Sequence, residues 1–521
     1  MWRDSSRLRS VVARLSAVVR TRFEIDTRSL AVFRIAVALL VGVDLLLRAR
    51  NFELFYTESG VVPQALALAA EPAGMRSVYF LSTDPRVTAG LFVFHGLLAC
   101  WLLVGYRTRL STVLVAVLVV SLDLRNPLVL SYADTLFMWL LFWAIFLPLG
   151  ERWSVDAVHA EQRPRSTVGG LPAALLLLQV VAVYVVNAIH KTESTRWPSG
   201  EAARLVMELD DMTFLAADLV ASFPRLLQAG GMIWFGLLAG SWLLVVFDGR
   251  PRTALVGLFV FAHLSFGLTV RIGAFAFVSI AGLLVFLQAS FWDDLATLAD
   301  RGGIASSLST ASQRLARVAA SVPPGPESTV DVFGWLDSNR GRLRVALAGV
   351  FLCVLAVALL AGGGVVDSDG PAGDIETGVS LFVEQQTEWT IFAPEPRTTV
   401  RQYVIAAETA DGTQRDLAFD RELTADRPDD LHRQFDSYRE RFYFSSVRRD
   451  EPAGSQQLFA EYICRTETVD GEPLSQLTLY VIAEEVTLET LGEPIERERT
   501  VREYFAHSCG DDSPKPVAIP A

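Results

Sequence analysis

Long apolar stretches in the first 366 residues constrain the fold more than any other feature of this chain. A helix needs roughly 20 apolar residues to cross a hydrocarbon core of about 30 Å. The nine apolar stretches lie at 30–47, 88–106, 110–122, 135–149, 171–189, 229–247, 253–270, 272–291 and 343–366. They predict nine transmembrane helices, and the mean hydropathy of +0.35 agrees with a membrane protein.

The arginines between these stretches predict the orientation of the chain. Seven arginines precede the first stretch, and further arginines lie in alternate short connections: Arg107 and Arg109, then Arg152, Arg163 and Arg165, then Arg250 and Arg252. Short connections that are rich in arginine are typically cytoplasmic. The pattern therefore predicts a multi-pass protein of the cell membrane with a cytoplasmic N-terminus and, after nine spans, an extracytoplasmic C-terminal domain.

The predicted fold class is a mainly α-helical polytopic membrane protein with a C-terminal β-rich domain. Its predicted parts are a basic cytoplasmic segment (1–29), a domain of eight spans (30–291), a cytoplasmic linker (292–342), a ninth span (343–366) and an acidic extracytoplasmic domain (367–521). The linker is predicted from a middle part rich in Pro, Gly and Ser.

Alternating, β-branched and aromatic runs in the C-terminal part predict strands. These runs are Val400–Ala406, Gln457–Ile463 and Leu477–Val486, and the pairs Asp411-Gly412 and Asp470-Gly471 predict tight turns. Cys464 and Cys509 also lie in this part, where one disulfide can form if the domain is outside the cytoplasm.

The charge distribution argues against nucleic acid as a partner. Residues 1–366 carry 31 basic and 26 acidic side chains, whereas residues 367–521 carry 15 and 32. A strongly acidic domain would repel phosphates. We also expect no metal site, because no histidine pair has ligand spacing on one helix and the chain has no Cys-x-x-Cys.

Charged residues inside the first span need a partner or a function, because a charge in hydrocarbon costs at least about 2.5 kcal/mol. Asp44 precedes Arg48 by four residues, so the two side chains can pair along one helix face. Arg34 either reaches the interface or binds an acidic group elsewhere. We interpret Arg34, Asp44 and Arg48 as a structural ion-pair set.

The strongest local signal is the polar end of the fifth span, at Lys191. The chain has 44 arginines and only one other lysine, Lys515. An amine can lose its proton in a partly dry site, whereas a guanidinium stays charged, so a lysine here favours acid–base chemistry. The alternative is an interfacial lysine that reaches water beside Trp197.

The chain resembles the vitamin K-dependent gamma-carboxylase-like membrane proteins, also called the HTTM (horizontally transferred transmembrane domain) family. The resemblance covers most of 25–400. It rests on an ordered set of segments: Leu30–Ile35 with Asp44 and Arg48, Tyr56–Pro63, Asp134, Leu147–Gly150, Ser154–Asp156, Lys191–Gly200 and Trp389–Pro396.

The resemblance implies a site and a reaction. In the carboxylases that this chain resembles, a lysine deprotonates reduced vitamin K, and oxygenation of the deprotonated form yields a strong base. This base removes a proton from a protein glutamate, and carbon dioxide then adds to the resulting carbanion. It implies that Lys191 is the base, with His190 either relaying a proton or capping the helix. Trp197 and His263 are candidate contacts to a reduced vitamin K-like quinone, although a lone histidine in a span is also a common packing residue.

Two other functions stay open at the level of the sequence. The first is a quinone- or lipid-binding redox enzyme that carboxylates nothing. The second is a non-catalytic membrane scaffold or transporter, which the acidic C-terminal domain motivates. The expected partners of the favoured function are the lipid bilayer, a glutamate-containing protein, oxygen and carbon dioxide.

Overall fold

The structure is a computed structural model that describes residues 21–70, 77–324 and 389–520. Residues 21–324 are mostly helical, and residues 389–520 form a β-rich domain. The ninth predicted span, 343–366, and most of the basic segment 1–29 lie outside the described residues.

Within the described ranges, four helices are long and apolar enough to cross a membrane. They are α1 (Thr27–Arg50), α4 (Pro85–Val104), α8 (Leu171–Lys191) and α13 (Gly249–Thr269). They coincide with the first, second, fifth and seventh predicted spans. The eighth, 272–291, is instead a bent pair, α14 (Phe275–Leu284) and α15 (Ala289–Arg301), which meet at 96° and would be a fifth span if taken together.

The other helices are shorter or carry more charge. They are α2 (Phe52–Tyr56), α3 (Gln64–Ala69), α5 (Thr108–Arg125), α6 (Tyr132–Ala144), α7 (Val155–His159), α9 (Glu201–Met207), α10 (Ala217–Ala221), α11 (Pro224–Ala239), α12 (Leu243–Val246) and α16 (Ala305–Ser321). The third, fourth and sixth predicted spans correspond to α5, to α6, and to α11 with α12. A short pair, β1 (Ile25–Asp26) and β2 (Thr167–Val168), joins the starts of α1 and α8.

The described part of the predicted linker, 292–324, is mostly helical. Helix α15 continues to Arg301, and α16 follows after two glycines. The apolar residues of α16 recur every three or four positions, a helical period that the abundant serines and alanines of this segment conceal.

The helical bundle has two different ends. The arginine-rich end contains the connections with Arg107, Arg152 and Arg250, together with the starts of α1, α8 and α13. The opposite end, which we call the domain-facing end, contains the ends of these helices and contacts the C-terminal domain. Glu208, for example, accepts hydrogen bonds from Arg497 at this end.

The C-terminal domain is an antiparallel sheet with two helices packed on it. The strands are β3 (Thr399–Thr409), β4 (Gln414–Asp416), β5 (Arg421–Glu422), β6 (Thr468–Val469), β7 (Glu472–Glu485) and β8 (Arg499–Ser508). Their order is β5-β4-β3-β7-β6, and β8 also pairs with β7. The helices are α17 (Tyr438–Arg449) and α18 (Ser455–Thr466), and Tyr403, Phe444 and Phe459 pack between helices and sheet.

Two of the three predicted strands are confirmed, as β3 and β7, and the third is wrong. Gln457–Ile463 belongs to α18, in which Ser455 and Phe459 are buried at a spacing of four residues. This spacing marks one helix face, and Gln, Leu, Ala and Glu favour helix. Both predicted turns join neighbouring strands, and Asp470 and Gly471 have the positive φ angles (52° and 87°) of a tight hairpin turn.

Cys464 and Cys509 form a disulfide, with Cα atoms 5.4 Å apart. The bond joins the last turn of α18 to the residue after β8.

Candidate functional site

A cavity of about 530 Å³ opens between α8, α11 and α13 near the domain-facing end. The side chains that line it include Tyr184, Asn187, Lys191, Trp197 and His263. The structure therefore brings together three residues that the sequence singled out separately, namely Lys191, Trp197 and His263.

Helix α8 supplies three of these side chains from one face. Tyr184, Asn187 and Lys191 are spaced by three and four residues, so they follow one another along the helix surface. The residues between them are apolar, with the exception of His190. This face of α8 therefore supplies three polar side chains to a cavity wall that is mostly apolar.

Lys191 is buried, with 1% of its surface exposed. Its Nζ donates hydrogen bonds to the carbonyl oxygens of Ile391 (2.7 Å) and Phe392 (3.0 Å), and it lies 3.5 Å from the centre of the Trp197 ring. No carboxylate forms an ion pair with Lys191 within the described ranges. Burial of a cation without a counter-charge costs free energy, so a residue of this kind usually marks a functional site.

Residues 389–394, which we call the strap, close the domain-facing end of the cavity. Asn187 Nδ2 donates to the carbonyl oxygens of Trp389 (2.7 Å) and Ile391 (3.1 Å), and Trp197 Nε1 donates to that of Pro394 (3.0 Å). The C-terminal domain thus begins with a segment whose backbone is bound to the polar face of α8 and to Trp197.

The turn after Lys191 is fixed by a glycine. Gly200 has φ +77°, and a Cβ atom there would lie 2.1 Å from the carbonyl oxygen of Gln228. Gln228 Nε2 in turn donates to the carbonyl oxygen of Ser199. The close approach to α11 holds the turn, and with it Trp197, against the cavity.

A second polar pair lies further along the cavity. Tyr184 Oη and His263 Nε2 are 2.8 Å apart, and both side chains are buried. His263 Nδ1 is buried and has no hydrogen-bond partner among the described residues.

The cavity opens sideways through an apolar surface. The opening is lined by side chains of which more than half is exposed, namely Leu226 and Ile233 from α11 and Leu258 and Phe261 from α13. Because α13 is long and apolar enough to span a membrane, this opening faces the side on which lipid would lie.

His190 does not line the cavity, although it precedes Lys191. Its ring nitrogen Nδ1 is 3.7 Å from a carboxylate oxygen of Glu193. The role of His190 as a proton relay stays a prediction.

The ion pair predicted in the first span is part of a larger buried cluster. Arg48 pairs with Asp44 (2.7 Å), Asp123 and Asp134 (3.3 Å). Arg439, from α17, also pairs with Asp44 and with Asp134 (2.9 Å). These five residues, which we call the charge cluster, connect the spans to the C-terminal domain.

Arg34 lies apart from the charge cluster, at the arginine-rich end. Its guanidinium donates to the carbonyl oxygens of Leu149 (3.0 Å), Arg152 (3.0 Å) and Trp153 (2.6 Å). These hydrogen bonds hold the connection at 149–153 against the first turns of α1.

Loop 208–211 forms a second charged contact between the two parts of the chain. Asp210 lies beside Arg427 and Arg497. Burial raises the pKa of Asp210, and the two arginines oppose that rise. The charged form of Asp210 therefore depends on the C-terminal domain.

Sequence reasoning missed Asn187, Arg439 and the function of the strap. Asn187 was detectable in part, because it lies four residues before Lys191 in an apolar helix. Arg439 was not, since it is one of 15 basic residues in an acidic domain and its partners lie some 300 residues earlier.

Comparison with known proteins gives one family. A model of the HTTM domain matches residues 23–292. No curated protein and no solved structure matches the chain. The matched range contains the whole cavity except the strap.

Proposed function

The chain belongs to the HTTM domain family, and we propose that it is a membrane enzyme that oxygenates a reduced quinone with Lys191 as the base. In this proposal the reaction is coupled to carboxylation of a protein glutamate. The HTTM domain is found in vitamin K-dependent carboxylase-like membrane proteins. The observation that carries the proposal is the buried amine of Lys191 in an apolar cavity that opens sideways.

The cavity fits a fused-ring quinone. Its volume of about 530 Å³ lies within the range of roughly 300 to 1,000 Å³ that is usual for small-ligand sites. Its walls are mostly apolar, while Lys191 and the indole of Trp197 supply polar and aromatic contacts. The sideways opening suits a ligand that is dissolved in lipid.

Lys191 would accept a proton from a hydroxyl of the bound ligand. The carbonyl oxygens of Ile391 and Phe392 accept hydrogen bonds from Nζ, and the Trp197 ring lies against it. A neutral amine still has two N–H groups for these carbonyls, and its lone pair can accept a proton. The apolar surroundings favour this neutral form, which an arginine could not adopt.

The reduced quinone would supply, on reaction with oxygen, the base that removes a proton from glutamate. The protein's part is to exclude water and to hold the amine. The strap does both, because it covers the domain-facing end of the cavity and its carbonyls fix Nζ. A glutamate side chain that approached the bound quinone from this end would require the strap to move.

The same observation favours a second candidate function. With the strap in place, the opening formed by Leu226, Ile233, Leu258 and Phe261 can still admit a lipid-soluble ligand. A quinone- or lipid-oxidising enzyme that carboxylates nothing needs no strap movement. Carbon dioxide incorporation separates the two functions.

The test uses purified protein in lipid, a reduced naphthoquinone, oxygen, labelled carbon dioxide and a glutamate-rich peptide. Gly230 lines the cavity and Gly236 does not, although both are exposed glycines of α11 with no atom within 4 Å of an added Cβ. We expect Gly230→Leu to abolish most epoxide formation by filling the cavity and Gly236→Leu to leave it unchanged. Label in the peptide supports carboxylation, and epoxide without label supports the second candidate.

Failure to form epoxide or to bind any quinone in folded wild-type protein would overturn both functions. Equal epoxide formation by the Gly230 and Gly236 variants would show that the chemistry occurs elsewhere.

A further inference from the structure

Two consecutive helices at the arginine-rich end, α15 and α16, have no buried residue. Six apolar side chains in these helices and the connection between them are exposed: Leu295 46%, Leu298 62%, Ile304 55%, Leu308 56%, Leu315 71% and Val318 64%. So many exposed leucines need a covering surface, because apolar side chains in water are unfavourable.

The apolar residues of α16 share one face. Leu308, Ala311, Leu315 and Val318 follow at intervals of three and four residues, which aligns them along the helix. Arg314 lies beside this stripe, Arg317 lies toward the opposite face, and α16 contains no acidic residue. The helix thus has one apolar face with positive charge beside it.

Helix α15 lies across the bundle, at the level where the spans begin. It turns by 96° from α14. Trp292 Nε1 donates to Ser29 Oγ (2.9 Å), Asp293 pairs with Arg28 (3.1 Å), and Asp294 pairs with Arg250 (2.9 Å).

These partners lie in the first turns of α1 and α13, where two membrane-spanning helices start. The start of a span marks the boundary between acyl chains and lipid headgroups. Trp292 also packs against Trp153 with ring centres 5.6 Å apart, and tryptophans are enriched at this depth of a bilayer.

We propose that α15 and α16 form an amphipathic element that lies in the headgroup–acyl boundary of the leaflet at the arginine-rich end. The exposed leucine and valine side chains contact acyl chains, and Arg314 and Arg317 bind anionic headgroups. The position of α15 at the start of two spans identifies lipid as the partner, and the positive charge of α16 favours anionic lipid. This inference does not depend on the chemistry of the cavity.

Spin-label accessibility in nanodiscs that contain phosphatidylglycerol tests the proposal on the full chain. Single cysteines replace Leu308 and Leu315 on the apolar face, with Ser306 and Gln313 on the opposite face as matched controls. Cys100 and Cys353 are changed to serine, and the Cys464–Cys509 disulfide is kept. We expect the ratio of collisions with oxygen to collisions with a water-soluble nickel complex to be several-fold higher at the two leucine positions.

Two outcomes would overturn the proposal. Equal access of the nickel complex to all four labels would place α16 in water. Labels at Leu308 and Leu315 that neither reagent reaches would show that protein, from this chain or a second copy, covers the face.

Hydrogen exchange on the unlabelled protein gives an independent test without substitution on the apolar face. We expect the amides of α16 to exchange several-fold more slowly in nanodiscs with phosphatidylglycerol than in nanodiscs of phosphatidylcholine alone. Arg314→Ser with Arg317→Ser should remove this difference. The same exchange rate in both lipids would contradict the assignment of anionic headgroups.

Discussion

Two groups of buried cations lie at the domain-facing end of the bundle, and their surroundings are opposite. In the charge cluster, Arg48 and Arg439 are surrounded by three carboxylates. Lys191 has two carbonyl oxygens and an indole face around its Nζ, and the described residues bring no carboxylate into an ion pair with it.

This difference in counter-charges distinguishes buried cations that stabilise the structure from a buried amine that can take part in a reaction. Buried charges that are matched by opposite charges hold segments in a specific arrangement, although their net stabilisation is small. A buried amine without a counter-charge can change its protonation state without leaving an unpaired partner. We infer that the charge cluster fixes the C-terminal domain and that Lys191 performs the chemistry.

Removal of Arg439 should have the largest effect on stability. Arg439→Ala leaves buried carboxylates of Asp44 and Asp134 without this partner, which typically costs about 3–5 kcal/mol. We expect the C-terminal domain to detach from the bundle, as measured by thermal unfolding and by proteolysis between the two parts.

Arg433→Ala is the matched control, since Arg433 lies six residues earlier and forms an exposed pair with Asp430. Exposed pairs contribute roughly 0–1 kcal/mol. Equal melting temperatures for the Arg439 and Arg433 variants would show that the charge cluster does not hold the domain.

Removal of Asn187 should have a smaller and local effect. Asn187→Ala removes two hydrogen bonds to the strap and leaves the Trp389 carbonyl without this donor, while the Ile391 carbonyl keeps its bond from Lys191, at a cost of about 1–3 kcal/mol. We expect the amides of residues 389–396 to exchange about tenfold faster with solvent, while the melting temperature changes little.

The control is Thr192→Ala, because the Thr192 hydroxyl donates to Ile189 O within the same helix end and does not touch the strap. If both variants exchanged like the wild type, Asn187 would not hold the strap.

The sequence predicted the parts of the molecule that depend on local pattern. The spans of α1, α4, α8 and α13 follow from runs of apolar residues, and β3 and β7 follow from alternation. The bend between α14 and α15 was missed because both segments are apolar up to Phe291, so hydropathy alone reads them as one helix.

The site was predictable only in part, for a physical reason. Lys191 stood out because it is rare and lies in an apolar context. The strap and Arg439 act through backbone carbonyls and through partners hundreds of residues away, and neither leaves a periodic signal in the chain. Their functions required the packing of the C-terminal domain on the bundle.

The most direct test of the central claim compares oxygen-dependent epoxidation of a reduced naphthoquinone by wild type, Lys191→Arg and Lys515→Ala. Arginine keeps the positive charge and can still donate to the strap carbonyls, but it cannot accept a proton, and a general base contributes typically about 10²–10⁴-fold to the rate. We predict a loss of this size in Lys191→Arg, in protein that melts like the wild type, and full activity in Lys515→Ala. Wild-type epoxidation by Lys191→Arg would contradict the account.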